Sequence, residues 1–371
     1  MDFSPNELQT MLADSVSRFV ATEYDFDTRQ SYAASERGFS DEVWRKFADL
    51  GWTAVPFDED DGGIGGGPVD VMVLMEKLAR GLVVEPYLAN VILAGGALAR
   101  AADATQRERW LQPLIAGELQ ATLACHEPQA RYELRNIATT AIRDGDGWRL
   151  DGSKGVVPNG ATADIVIVPA RTSGGQCDEN GISLFVVDAK ELDRNGYHTV
   201  DGLRAAEITM QDLRTGADRL LGQVDAGFAV LDATVDDATL AVCAEAVGIM
   251  QTLTDKTVEY AKQRRQFGVP IGSFQAMQHR MVDMLMACEQ ARSTLLWAVM
   301  THAAGEDSKR AISSIKYFIG TAGQKVGEEA VQIHGGMGVT WELDVAHFFK
   351  RLTAINRQFG NVDWHLDALA D

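Results

Sequence analysis

Three long helical runs dominate the C-terminal part of this chain and constrain its fold more than any other feature. Residues 227–264, 274–304 and 308–333 repeat Ala, Val, Leu and Met at the three- and four-residue spacing of helices that pack on one another. Such runs fold back into a bundle, so the breaks between them become turns on its surface. The beginning of the chain is helical too. Ser4-Pro5-Asn6-Glu7 reads as a capping box with Pro at the first helical position, ahead of Leu8, Met11, Leu12, Val16, Phe19 and Val20 at helical spacing. Further helices are expected over 41–50, with Val43, Phe47 and Leu50 inward, and over 69–82, 89–102 and 106–115.

The pattern changes near Glu118. Trp148–Gly152 alternates and turns, while Ile165–Val168 and Ile182–Asp188 are apolar strand runs bounded by turn-rich segments at 143–147 and 173–175. The expected class is α+β: a helical segment (1–117), a small antiparallel β unit (118–225) and a helical bundle (226–371).

Composition narrows the function. The 371 residues, 46% of them hydrophobic, suffice for a large core. A net charge of −19 makes nucleic acid or an anionic membrane a poor partner, although a local cluster such as Lys262, Arg264 and Arg265 can still meet an anion. Cys125, Cys177, Cys243 and Cys288 show no metal-ligand or CxxC spacing and are expected to be free thiols in a reducing cytoplasm. The start carries no signal-peptide pattern, and no apolar run is long enough for a bilayer. The glycine-rich stretch 62–67 follows no strand and lacks the spacing of a dinucleotide loop, so it reads as a plain loop.

Two motifs carry the chemistry. The first is Tyr260–Gln275, where Gly268 and Pro270 interrupt the helical pattern. Arg264 can fork onto a pyrophosphate. Phe267 can stack on an adenine, with Gln266 beside it, and Gln275 can bond the base's polar edge. The second is Gln332-Ile333-His334-Gly335-Gly336-Met337-Gly338, where glycines let backbone amides approach a phosphate. Alone, Arg264 reads as a surface ion pair and Gly335-Gly336 as a helix-ending turn. In this order on one chain, they make a specific signal.

Together these motifs closely resemble those of the acyl-CoA dehydrogenase family, and the resemblance covers essentially the whole chain. It implies FAD as cofactor, held by Arg264, Gln266, Phe267, Gln275, Gln332, His334, Gly335 and Gly336. It also implies an acyl-CoA substrate, electron-transfer flavoprotein as acceptor, and no metal. In the family, the matching Gln and Gly pair bind FAD across a subunit interface.

The sequence departs from the family at the flavin ring and at the base. Where members typically read T-E-P-x-A-G-S-D, this chain reads His126-Glu127-Pro128-Gln129-Ala130-Arg131-Tyr132-Glu133. A later contact reads Val156-Val157-Pro158-Asn159, and Pro158 offers neither hydroxyl nor N–H. α,β-Dehydrogenation needs a carboxylate to remove the α-proton. The two positions where members carry it correspond to Phe359 and Ala238. Glu245 lies about two helical turns beyond Ala238 on the same face, in an apolar stretch. It reads either as a substitute base or as a buried carboxylate bonded to a neighbouring helix or to Arg131.

Segments 127–132, 197–206 and 243–248 further resemble the small subunits of two-subunit pimeloyl-CoA dehydrogenases. That resemblance implies a non-catalytic subunit that completes FAD sites on a paralogous large subunit. The alternatives are a homo-oligomer using Glu245 as base and a redox-inactive scaffold that binds an adenine nucleotide.

Overall fold

The structure, a computed structural model, describes residues 5–370. Helices come first: α1 (Glu7–Glu23), α2 (Phe26–Ala34), α3 (Asp41–Asp49) and α4 (Pro68–Leu78). A π-helical segment, Leu88–Gly95, runs into α5 (Gly96–Ala101), followed by α6 (Ala104–Gln106), a second π turn and α7 (Gln112–Ile115). The strands are β1 (Ala121–Leu123), β2 (Thr140–Asp144), β3 (Gly147–Pro158), β4 (Ile165–Arg171), β5 (Ile182–Asp188), β6 (Asp193–His198), β7 (Arg204–Thr215) and β8 (Leu220–Leu221). Helix α8 (Gly227–Gln263) leads to a hairpin, β9 (Arg265–Gln266) and β10 (Val269–Pro270). After it come α9 (Gln275–Ala303), α10 (Lys309–His334), α11 (Asp344–Ile355) and α12 (Val362–Ala370).

The cap of α1 lies two residues later than expected. Asn6 is its N-cap, its Oδ1 accepting from the Gln9 amide at 2.8 Å while Gln9 Oε1 accepts from the Asn6 amide at 3.0 Å. Ser4 lies outside the described residues. In α3 the inward residues are Val43, Trp44 and Phe47. Leu50, expected inward, is exposed because the helix ends before it and Gly51 turns the chain at φ +75°. In the glycine-rich loop, the amides of Gly63, Ile64, Gly65 and Gly66 all bond nearby carbonyls of residues 54–58. They are committed to closing the loop, not free to cradle an anion.

Contacts group the chain into two compact units, one of residues up to 31, 67–83 and 239 onward, the other of residues 32–66 and 84–238. In the second unit the sheet runs β6-β7-β3-β2-β4-β5-β8, with β1 beside β4. Its pairings are antiparallel except β1–β4 and the single β2–β4 contact at Thr140 and Arg171. Trp148, Leu150, Val168, Phe185 and Ile208 lie in its core. β4 is buried at every position, which explains why it reads as an unbroken apolar run.

In the first unit α10 packs against α9, α11 and α12, and α4 packs against α1 and α9. Glycines allow the closest approaches. A Cβ on Gly248 of α8 would collide with the Glu76 carbonyl of α4, and one on Gly320 of α10 would collide with Val362 and Asn356. Among the described residues no helix is long and apolar enough to cross a membrane.

Candidate functional site

At the end of α8 the Arg264 amide still bonds the Tyr260 carbonyl at 2.8 Å, and then the chain reverses. β9 pairs with β10, leaving Phe267 and Gly268 at the tip with φ +54° and +84°. Two successive positive φ values are the geometry of a tight type I′ hairpin, normally an Asn-Gly site. A phenylalanine there strains the backbone. Its ring is 93% exposed and meets Phe274 edge-on at 6.2 Å. Arg264, Gln266 and Gln275 are exposed beside it, and Arg264 forms no ion pair with another described residue.

The second motif closes α10. Gln332, Gly335 and Gly336 are exposed, and Gly335 turns the chain at φ +63°. A Cβ on Gly335 or Gly336 would meet nothing within 4 Å, so their backbone faces open space. His334 is placed differently from the residues with which it was grouped. It is 5% exposed, its Nδ1 donates to the Ala330 carbonyl at 2.8 Å, and its ring stacks on Tyr260 at 4.3 Å with a 26° tilt. Burial lowers its pKa, which favours the neutral imidazole.

The positions considered for a base lie elsewhere. Glu245 accepts two bonds from Arg351 of α11, Nε to Oε1 at 2.5 Å and Nη2 to Oε2 at 2.6 Å, with both side chains largely buried. Ala238 is fully buried on α8. Phe359 is buried at φ +54°, and the turn it opens is held by two donors. His365 Nε2 donates to the Phe359 carbonyl at 3.0 Å, and Lys316 Nζ to the Gly360 carbonyl at 2.6 Å. Burial pulls Lys316 down to about 8, and burial with the Lys316 charge pulls His365 down to about 4.

In the β unit, the 126–139 loop is organised around one buried carboxylate. Glu127 accepts from Lys154 Nζ at 2.6 Å, from the amides of Ala138 and Thr139 at 2.7 and 3.2 Å, and from Gln129 at 2.8 Å. Burial raises the Glu127 carboxyl, but the Lys154 charge and these bonds outweigh it and hold it below its usual value. Four donors converge on Glu127, so its ionised form is the one this geometry stabilises. Across from the loop, β3 bulges against β7, with Val156 at φ +50°. The Val156 amide bonds Glu207 at 3.3 Å, a carboxylate that also accepts from Tyr197 at 3.0 Å. The Asn159 side chain is occupied by Gln120 at 3.4 Å and by Thr162. Pro158 has no N–H. The Val156 amide and the Asn159 side chain are therefore engaged within the β unit.

Sequence reasoning missed Arg351, Lys316, His365 and the Glu127–Lys154 pair. One signal was available: Lys316 falls on the same helical face as Ile312, Ile319 and Gly323, where a charge requires a buried partner. Among the described residues the three buried cysteines and the exposed Cys177 are free, and no metal-binding cluster is present.

The sequence matches three family profiles in succession. They are the acyl-CoA dehydrogenase N-terminal domain over residues 6–118, the middle domain over 122–214 and the C-terminal domain over 225–371. The probable acyl-CoA dehydrogenase YngJ of Bacillus subtilis is 30% identical over 357 residues, covering 94% of this chain and 93% of that protein. The FAD complex of PigA superposes with a TM-score of 0.92 at 27% identity, covering 100% of this chain and 98% of that one. A chain of the ChsE4-ChsE5 complex from Mycobacterium tuberculosis does so with a TM-score of 0.90 at 27% identity, over 100% and 98% of the two chains. The chain belongs to the acyl-CoA dehydrogenase family of oxidoreductases.

Proposed function

We propose that this chain is the small subunit of a two-subunit FAD-dependent acyl-CoA dehydrogenase, completing the flavin site of a paralogous large subunit. The observation that carries this reading is the outward presentation of the adenine-side grip. Arg264, Gln266, Phe267, Gln275, Gln332, Gly335 and Gly336 are exposed, and Phe267 is held out at 93% exposure on a strained hairpin tip. An aromatic ring kept in water at a backbone cost is explained by a ligand or partner that covers it.

The ring-side segments support the same division of labour. The backbone and amide groups of 156–159 are satisfied internally or absent, which fits a flavin ring poorly. The exposed guanidinium and open glycine turn fit a pyrophosphate well. When bound, FAD supplies the acceptor for the substrate β-hydrogen as hydride. In this reading Arg264 neutralises the pyrophosphate, Phe267 stacks on the adenine and Gln275 bonds its edge. Glu245 is a partner of Arg351 rather than a base, because both its oxygens are taken. Residues 1–117, 118–225 and 226–371 form its three domains. The assembly takes an acyl-CoA thioester, passes electrons to an electron-transfer flavoprotein and works in the cytoplasm. One solved relative, the ChsE4-ChsE5 complex, is itself made of two named chains.

The test is Arg264→Ala in the co-purified assembly. Breaking a charged contact to phosphate costs about 1.5–3 kcal/mol, so the assembly should lose flavin on gel filtration. Full FAD retention would refute the pyrophosphate assignment.

A further inference from the structure

Arg264 and the Gly335–Gly336 turn are far apart in sequence, yet both must meet the same diphosphate if the reading above holds. Their separation in space is set by something the function has not yet used. Tyr260 lies one helical turn before Arg264, and the Arg264 amide bonds its carbonyl. His334 immediately precedes Gly335. The two rings stack at 4.3 Å, and the Tyr260 hydroxyl donates to the His334 carbonyl at 3.4 Å. The His334 ring cannot turn freely, because Nδ1 is tied to Ala330 on the same helix. The far side of the turn is closed as well: a Cβ on Gly338 would press on the Val331 carbonyl and on His334 Cβ. A Lys256–Asp344 ion pair at 2.8 Å ties α8, one turn before Tyr260, to the start of α11 instead, and Lys256 is too exposed for that contact to be stiff.

We infer that the Tyr260–His334 stack is a positioning device that fixes the span between the guanidinium half and the glycine half of the diphosphate grip. His334 is thus a positioning residue that touches no ligand. This inference rests on the proposed function, since it presupposes that both halves hold one FAD. An unstacked pair would leave each half intact but let the α8 end and the α10 end drift independently. Small misplacements of two converging donors weaken both at once.

The experiment compares Arg264→Ala, His334→Ala, His334→Phe, Tyr260→Ala and the double alanine variant in the co-purified assembly. The readouts are the rate of FAD release followed by flavin fluorescence, and the melting temperature. His334→Ala and Tyr260→Ala should each release FAD roughly tenfold faster, the upper end of what an aromatic pair contributes. The double variant should be no worse than either single one, and His334→Phe, which keeps a ring in the stack, should stay near the parent. If Arg264→Ala sheds FAD while His334→Ala holds it, the positioning role is wrong and the proposed function stands. If Arg264→Ala also holds FAD, the proposed function itself fails. If His334→Ala lowers the melting temperature with no change in FAD release, or His334→Phe is as damaging as His334→Ala, the stack is only a core contact and the inference is overturned.

Discussion

Glu245→Gln separates chemistry from architecture in this fold. The Glu245 carboxylate takes two bonds from Arg351 at 2.5 and 2.6 Å, with side chains 14% and 6% exposed. An amide offers one acceptor where the carboxylate offered two, and it removes the negative charge that Arg351 faces across this contact. Removing one partner of a buried pair costs about 3–5 kcal/mol. Removing a general base instead costs about 10²–10⁴-fold in rate. The account therefore predicts a large loss of stability and a kcat within about tenfold of the parent, measured where the variant is fully folded. Stability is read by urea denaturation with tryptophan fluorescence, and kcat by flavin reduction in the co-purified assembly. Replacing both partners by Met should recover much of the lost stability, since an apolar pair of similar volume is often neutral in such a site. A kcat reduced about a hundredfold or more, with stability unchanged, would refute the reasoning and make Glu245 the base.

Three further outcomes follow from the same geometry. Lys154→Met leaves the buried Glu127 carboxylate without its ammonium partner, and should cost about 3–5 kcal/mol in the stability of the β unit at neutral pH. Glu127 is depressed in the folded state, so its contribution is complete above an unfolded value of about 4.3 and is lost as pH falls through the folded one. The gap between parent and Lys154→Met in denaturation midpoint should accordingly narrow below that pH. His365 is depressed from 6.5 to about 4, so the unfolded chain binds the proton first and stability falls as pH drops from 6.5 toward 4. The loss reaches about 3 kcal/mol at 1.36 kcal/mol per unit, and His365→Gln should flatten that slope in acid denaturation series. Phe267→Ala should speed FAD release by roughly 5- to 150-fold, from about 1–3 kcal/mol per stacked base. It should leave the melting temperature of the FAD-free chain nearly unchanged, because a side chain 93% exposed has little packing to lose.

The helices were legible because their apolar faces repeat over many turns: α8, α9 and α10 fall within a residue or two of their expected ends. β4 and β5 were equally plain as apolar runs. β6 was not read as a strand, since Asp193–His198 is a largely exposed edge with no alternation. The π turns in 88–95 and 107–111 leave no trace in the pattern, because their apolar residues keep helical spacing. At the site, the hairpin was visible in Gly268 and Pro270, but its strain at Phe267 was not. The Glu245 question needed the structure, since its partner Arg351 lies on α11, a helix the periodicity did not single out. Placing His334 required knowing which face of α10 is buried, and its motif neighbours Gln332 and Gly335 gave no hint.

The central claim is that this chain carries the adenine-side grip for a partner and lacks a working ring pocket of its own. The visible absorbance spectrum of the chain purified alone, and again after co-expression with its large paralogue, tests this directly. The account predicts a colourless protein alone and a yellow complex with the paralogue. A yellow chain that holds one FAD per protomer without any partner would contradict it.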